Sequence, residues 1–141
     1  MKSINNNITE QLVSFEVAKL LKEKGFDVKC GGWYMEHGAL FINYHKEEYN
    51  EVPFLHNTNK LLFKLNRVSA PTQQLAIDWI RMNFGICISV GCDTYSGKND
   101  WNYGINIIGN PEFDYDSSNS YNSPEEAKEA ALRYVLEKLI K

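Results

Sequence analysis

At 141 residues, the chain has the length of one domain and is long enough to bury a hydrophobic core, so we predict a single domain over residues 1–141. Its net charge of −3 gives no general attraction to nucleic acid or to an anionic membrane. No apolar run approaches the roughly 18 residues of a membrane-spanning helix. The amino-terminal segment also lacks the apolar stretch of a signal peptide. We therefore expect a cytoplasmic protein without membrane contact.

The cysteines are an odd number, three, and their spacing does not form a disulfide framework, which is typical of reduced thiols. Four residues separate Cys87 from Cys92, whereas the cysteines of a zinc knuckle are separated by about two. Cys30 lies far from both along the chain, so no second pair with ligand spacing exists. We therefore expect no metal site and no cofactor.

The first predicted helix follows a polar, Asn-rich stretch at residues 1–7, which we expect to be a disordered tail. Ser14 suits the N-cap of this helix, and Gly25 suits the left-handed residue that ends it. Phe26 can then fold back onto the last helical turn. A capping box further upstream allows an alternative start near Ile8.

Short strand patterns follow this helix. Residues 28–30 suit a short strand, and residues 33–44 predict a hairpin with its turn near Gly38. Residues 45–59 are polar and contain a proline, which predicts a long loop. The apolar residues at 61–65 predict one more strand.

Residues 70–91 predict a helix, a stop and a strand in direct succession. Pro71 suits the first helical turn, because its missing N–H has no helical partner there. Gly85 suits the left-handed residue that ends the helix, and Ile88 and Val90 then alternate with Ser and Gly. The side chains that we expect on the buried face are Leu75, Ala76, Trp79 and Ile80. Those on the polar remainder are Thr72, Gln73, Asp78 and Arg81.

The clearest strand pattern is at residues 101–107, where apolar residues alternate with asparagine and glycine. A polar loop at residues 93–100 precedes it. A second polar loop is predicted at residues 109–120, within which residues 113–115 suit a short edge strand. This part of the chain therefore contributes at least two strands to the sheet.

The last helix begins with a strong amino-terminal signal. Ser123 suits the N-cap, Pro124 the first helical position and Glu126 the third, which completes a capping box. The residues that we expect to face the core are Ala127, Ala131, Val135, Leu136 and Leu139. Together, the elements predict one α+β domain with a mainly antiparallel sheet and three helices packed on one face.

Tyrosines in polar loops are the first candidates for a binding surface. Tyr-rich segments with Asn and Ser are typical of protein interfaces, and tyrosine rings also suit base stacking. The alternative is that these rings cover the edges of the sheet. The candidate binding residues are Tyr95, Tyr115, Tyr121, Arg67 and Arg81.

Two other functions need groups that this chain also contains. A nucleic-acid-binding protein needs a basic face, because phosphates dominate its affinity. The residues available for that face are Lys60, Lys64, Arg67 and Arg81. A small nuclease needs carboxylates that hold Mg²⁺, and two predicted loops near one end of the sheet supply aspartates. These aspartates are Asp93, Asp100, Asp114 and Asp116.

Residues 72–140 resemble a double-stranded-RNA-binding domain in their order of helix, strand, strand and helix. The ending SPEEAKEAALRYVLEKL is similar to the last helix of that family. That family needs lysines at the start of this helix to bind phosphates, and here Glu125 and Glu126 would repel them. The strand, loop and SPEEA ending also resemble antitoxins that pair with small RNA-cleaving toxins and have a partial ribonuclease H fold.

A third resemblance covers most of the chain. The segments LVSFEVAKLLKEKGFDV, SAPTQQLAIDWIR and YNSPEEAKEAALRYVLEKLI, in this order, resemble small uncharacterised proteins encoded by gut-bacterial prophages and phages. This group has no assigned activity, so the resemblance implies a mobile-element origin and no chemistry. We therefore predict a non-catalytic interaction protein, a phage accessory protein whose partner is another protein. Nucleic-acid binding is the alternative, and a metal-dependent nuclease is the third hypothesis.

Overall fold

The computed structural model describes residues 10–42, 67–95 and 97–141. The helices in these ranges are α1 (Phe15–Glu23), α2 (Gln73–Phe84) and α3 (Pro124–Tyr134), and α3 continues into a π-helical turn, Val135–Leu139. The strands are β1 (Gly32–Tyr34), β2 (Leu40–Ile42), β3 (Val68–Ser69), β4 (Ile86–Cys92), β5 (Trp101–Ile107) and β6 (Asn110–Asp116). The α+β class predicted from the sequence is confirmed.

The strands form two antiparallel sheets instead of the one sheet expected. The small sheet has the order β2-β1-β3, and the large sheet has the order β4-β5-β6. Helices α2 and α3 both contact β4, and α3 also contacts β5, whereas α1 contacts β3 of the small sheet. The core therefore lies among the three helices and the two sheets.

Helix α1 has the start and the stop that the sequence predicts. The Ser14 hydroxyl accepts the backbone N–H three residues later at 3.2 Å. At the other end, Gly25 has a φ of +95° and donates its N–H to the Lys22 carbonyl at 3.1 Å. Phe26 donates its N–H to the Leu21 carbonyl at 2.9 Å, which completes a Schellman motif and turns its ring into the core.

The hairpin of β1 and β2 is confirmed, with Gly38 at a φ of +92° in the turn. The strand expected at residues 28–30 is wrong, because the first strand of this region begins at Gly32. Strand β3 has only Val68 and Ser69, and both pair with residues of β1. Residues 28–30 pair with no strand in the described ranges. The expected tail, the long loop at 45–59 and the strand at 61–65 lie outside the described residues.

Helix α2 begins two residues later than the sequence predicts. Thr72 is the N-cap, and its hydroxyl accepts the Leu75 N–H at 3.1 Å, so Pro71 precedes the helix instead of opening it. The Pro71 carbonyl accepts the Val13 N–H at 3.0 Å, which ties the start of α2 to the segment before α1. Gly85 ends the helix as predicted, with a φ of +66°.

Most of the second predicted loop, residues 109–120, is strand β6. It pairs with β5 through Asn110 and residues 114–116, with Asp116 opposite Gly104 and Asp114 opposite Asn106. The expected edge strand at residues 113–115 is therefore confirmed and is longer than predicted. Pairing with β5 outweighs the weak strand propensity of this acidic segment.

Helix α3 starts at the predicted residue and packs closely on the large sheet. Ser123 accepts the Glu126 N–H at 3.1 Å, and Ala127 and Ala131 are fully buried. Leu132 is also fully buried, whereas Leu139 is only half-buried, because the π-helical turn changes which side chains face the core. No helix in the described ranges is long and apolar enough to cross a membrane.

Candidate functional site

Two of the three candidate tyrosines belong to a packed group of rings. We call Tyr103, Tyr115, Tyr121 and Tyr134 the tyrosine cluster. The Tyr115 ring stacks on the Tyr134 ring of α3, with 4.4 Å between centroids. The Tyr103 ring lies 6.2 Å from that of Tyr115 and 6.0 Å from that of Tyr121. Tyr103 is 5% exposed, so the cluster joins the large sheet to α3.

The tyrosine cluster supports the alternative interpretation, in which these rings cover the sheet. Tyr115 lies in β6, not in a loop, and both Tyr115 and Tyr121 are half-buried. Burial, followed by the neighbouring Tyr115 and Tyr121, raises the pKa of Tyr103, so its hydroxyl stays protonated at neutral pH. Covering the sheet is therefore the evident structural role of Tyr115 and Tyr121, and binding through them stays a prediction.

Tyr95 is in a different situation from the other two tyrosines. Its side chain is 99% exposed in the loop between β4 and β5. The carboxylate of Asp93 accepts the Tyr95 N–H at 2.8 Å, which fixes the backbone at this point and leaves the ring in solvent. The predicted exposure of Tyr95 is therefore confirmed, and binding through it stays a prediction.

Arg67 lies beside the small sheet, next to two stacked aromatic rings. We call Trp33, Phe41 and Arg67 the hairpin face. Trp33 and Phe41 are opposite each other on β1 and β2, their rings are 6.2 Å apart, and the angle between their planes is 11°. The Arg67 guanidinium carbon lies 5.8 Å from the centroid of the Trp33 ring, within the range of a cation–π contact. Phe41 remains 49% exposed.

Two donors of the hairpin face are buried without a hydrogen-bond acceptor. They are Nε1 of Trp33 and Nε of Arg67. A buried donor without an acceptor costs roughly 1–3 kcal/mol. The hairpin face is therefore a place where an apolar surface and unsatisfied polar groups occur side by side.

A groove of about 300 Å³ lies on the other side of the small sheet, against α1. Its lining residues are Phe15, Lys19, Lys22, Glu23, Glu36 and Val68. The Lys19 ammonium lies 4.5 Å from the centroid of the Phe15 ring, and the Lys22 ammonium donates to the Arg67 carbonyl at 3.3 Å. Charges of both signs line this groove, so it does not form the basic face that nucleic-acid binding needs.

Arg81 lies on the exposed side of α2. Its neighbour Met82 is 75% exposed, and Phe84 at the end of the helix is 38% exposed. Ile108, 65% exposed, donates its N–H to the Gly85 carbonyl at 2.8 Å. Arg67 lies beside the small sheet and Arg81 on α2, and Lys60 and Lys64, the other members of the expected basic face, lie outside the described residues.

The aspartates expected to meet at one end of the sheet lie in different elements. Asp93 and Asp100 close the loop between β4 and β5, where the Asp93 N–H donates to the Asp100 carbonyl at 2.8 Å. Asp114 and Asp116 lie in β6 and are exposed. Within the described ranges, no three His, Cys, Asp or Glu side chains are arranged to hold a metal ion.

The starts of all three helices meet at a cleft of about 230 Å³, which sequence patterns did not reveal. Glu129 of α3 connects them: one carboxylate oxygen accepts the Ser14 N–H at 2.8 Å, and the other accepts Nε2 of Gln73 at 3.1 Å. Gln73 is 4% exposed, although its position on α2 suggested the polar face. Glu129 lies in the second turn of α3 and ties the starts of α1 and α2 to it, so this cleft is a structural junction.

Cys30 is the buried cysteine, whereas Cys87 is half-buried and Cys92 is exposed. Burial raises the pKa of the Cys30 thiol to about 12. Because the thiolate is the reactive form, Cys30 is inert at neutral pH. The chain matches no protein-family model, and comparisons with curated proteins and with solved structures yield no significant match.

Proposed function

We propose that this protein is a non-catalytic interaction protein of the cytoplasm that binds a partner protein through the hairpin face. The observation that carries the proposal is the exposed ring of Phe41, stacked on Trp33 next to the Arg67 guanidinium. Binding energy in protein interfaces concentrates on aromatic and arginine side chains that become fully desolvated. The resemblance to small phage-encoded proteins supports an accessory role of this kind.

The hairpin face also indicates the chemistry of the partner. An apolar side chain of the partner would cover Phe41, and a carboxylate or carbonyl oxygen would accept a hydrogen bond from Arg67. Nε1 of Trp33 and Nε of Arg67 are buried within the chain, so this hydrogen bond would come from the terminal N–H groups of the Arg67 guanidinium. We therefore expect a contact with an apolar centre and at least one acidic or carbonyl group.

Affinity capture from the native host tests this proposal with two matched truncations. Phe41→Ala removes the exposed ring of the hairpin face, and Met82→Ala removes an equally apolar exposed side chain from α2. At high salt, we expect the wild type and Met82→Ala to retain the same protein. Phe41→Ala should retain about tenfold less, because truncating a central aromatic residue typically costs more than 1.4 kcal/mol.

The salt dependence and the control decide between the alternatives. Retention of the same protein by Phe41→Ala would show that the hairpin face is not the binding surface. Two stacked rings beside an arginine also suit single-stranded nucleic acid. Nucleic acid retained only at low salt, and lost after nuclease treatment, would replace protein binding with nucleic-acid binding. Circular dichroism of both variants checks that each remains folded.

A further inference from the structure

Among the described strands, β4 forms an edge of the large sheet, and it lacks the charges, prolines and bulges that usually protect an edge. All seven of its residues pair with β5 in an unbroken register, from Ile86 opposite Ile107 to Cys92 opposite Trp101. Its sequence, ICISVGC, contains neither a charged residue nor a proline. Proteins commonly protect edge strands with charges, prolines, bulges or short strand length, because a bare edge pairs with other chains.

Strand β6, at the opposite edge, has several of these protections. Pro111 lacks a backbone N–H, and the register against β5 shifts between Asn106 and Ile107. Its charged side chains are Glu112, Asp114 and Asp116. Two copies of β6 would therefore repel each other, whereas two copies of β4 would not.

The ladder between β4 and β5 shows which backbone groups of β4 point outward. The Gly85 carbonyl accepts the Ile108 N–H at 2.8 Å, and the Asp93 N–H donates to the Asp100 carbonyl at 2.8 Å. In an antiparallel pair, every second residue bonds to the neighbouring strand. The backbone N–H and C=O groups of the odd-numbered residues from Gly85 to Asp93 therefore point toward β5. The residues whose N–H and C=O point away from β5 are Ile86, Ile88, Val90 and Cys92. None of these groups bonds to the backbone of another described element.

We propose that two copies of this chain associate through their β4 edges, antiparallel, with the two-fold axis at Ser89. This register pairs the full length of both strands and joins the two large sheets into one sheet of six strands. Each of the four outward residues exchanges two hydrogen bonds with the second copy, eight bonds in all. A shift by two residues leaves unpaired groups at the strand ends, and a shift by one turns the side chains to the wrong faces.

The side chains of β4 match themselves in this register. Ile88 lies next to Val90 of the second copy on the helix side of the sheet, where both are half-buried in one chain. On the open side, Ser89 faces its own copy, and Cys87 faces Gly91 of the second copy. Apolar residues thus meet apolar residues and small residues meet small ones, which suits the isologous contact of a two-fold dimer.

Sedimentation equilibrium of the full chain over a range of concentrations, with two variants at one position, tests the dimer. The wild type should reach a mass of twice 16.3 kDa. Val90→Pro and Val90→Ala lose the same side chain, but only the proline also removes the outward N–H. We expect Val90→Ala to remain a dimer and Val90→Pro to have a Kd about thirtyfold higher, because symmetry removes two bonds. A wild type that is monomeric at all concentrations, or equal association of both variants, would overturn the proposal.

Cross-linking gives a second measurement that does not depend on the proline variant. Ser89→Cys, in a chain with Cys87→Ser and Cys92→Ser, places two thiols opposite each other at the two-fold axis. Directly opposite, non-bonded pairs have Cα atoms about 4.5 Å apart, within the range of a disulfide. Asn102→Cys is the matched control, since it is exposed on the same side of the sheet but lies one strand further in. We expect a cross-linked dimer from Ser89→Cys alone, and equal cross-linking of both variants would overturn the register. The hairpin face belongs to the other sheet, so the dimer and the partner contact can be lost separately.

Discussion

At the scale of single residues, Glu129 joins elements that are distant in sequence. Its carboxylate accepts hydrogen bonds from the N-cap residue of α1 and from the side chain at the start of α2. Gln73 in turn donates to the Glu125 carbonyl at 2.9 Å, so its amide lies between α2 and α3. One side chain of α3 thus positions the starts of α1 and α2.

Glu129→Ala should therefore destabilise the fold, because the Ser14 N–H and the buried Gln73 amide both lose an acceptor. We expect a loss of about 2 kcal/mol in the free energy of unfolding, measured by urea denaturation. Glu125→Ala is the matched control one turn earlier in the same helix, since its side chain is exposed. The control should change stability by less than about 0.5 kcal/mol. Equal losses in the two variants would show that Glu129 does not hold the helix starts together.

At the scale of elements, the turn at Gly85 between α2 and β4 determines where the large sheet begins. Gly85 ends α2 with a φ of +66°, and its carbonyl accepts the Ile108 N–H. The helix stop therefore also begins the ladder between β4 and β5. Because Gly85 permits this sharp turn, α2 packs against the large sheet, whose first strand, β4, directly follows it.

Gly85→Ala tests whether the turn between α2 and β4 needs a glycine. A Cβ at this position would lie 3.7 Å from the Cβ of Ile108, an ordinary contact, so the cost comes from the left-handed backbone. We expect a loss of about 1 kcal/mol in unfolding free energy, seen as a lower midpoint of thermal unfolding. Gly91→Ala should be nearly neutral, because Gly91 lies in β4 without a positive φ and has room for a Cβ. Unchanged stability of Gly85→Ala would mean that the backbone relaxes at this position.

At the scale of the whole molecule, the buried thiol and phenol groups lower the free energy of unfolding as the pH rises. Burial raises the pKa of the Cys30 thiol from 9.0 to about 12. Burial is also the main cause of the raised pKa values of Tyr34 and Tyr103. All three groups are neutral when protonated, so the fold favours the protonated forms. The unfolded chain would release these protons first as the pH rises.

Stability should therefore be constant from neutral pH to about pH 9 and fall as the pH rises toward 12. Each group contributes a slope of at most about 1.4 kcal/mol per pH unit between its unfolded and folded pKa values. Urea denaturation at a series of pH values measures this loss. Cys30→Ala should flatten the profile above pH 9, whereas Cys92→Ala, at an exposed position, should leave it unchanged. Identical profiles for the wild type and Cys30→Ala would contradict the assigned role of this thiol.

The sequence by itself determined the local features of the fold. The caps at Ser14 and Ser123 and the glycine stops at Gly25 and Gly85 were predictable, because these signals act within about one helical turn. The alternation of β5 was predictable for a similar reason, since its period is visible within one strand. The α+β class followed from these features, and the exposure of Tyr95 followed from its polar loop.

Only the tertiary structure decided how these elements combine. The division into two sheets, the pairing of the acidic segment β6 and the burial of Gln73 depend on contacts between residues far apart in sequence. The hairpin face arises in the same way, because Arg67 reaches Trp33 across a stretch of chain that no local pattern spans. Propensity and periodicity describe neighbours along the chain, whereas pairing and burial depend on the free energy of contacts formed across it.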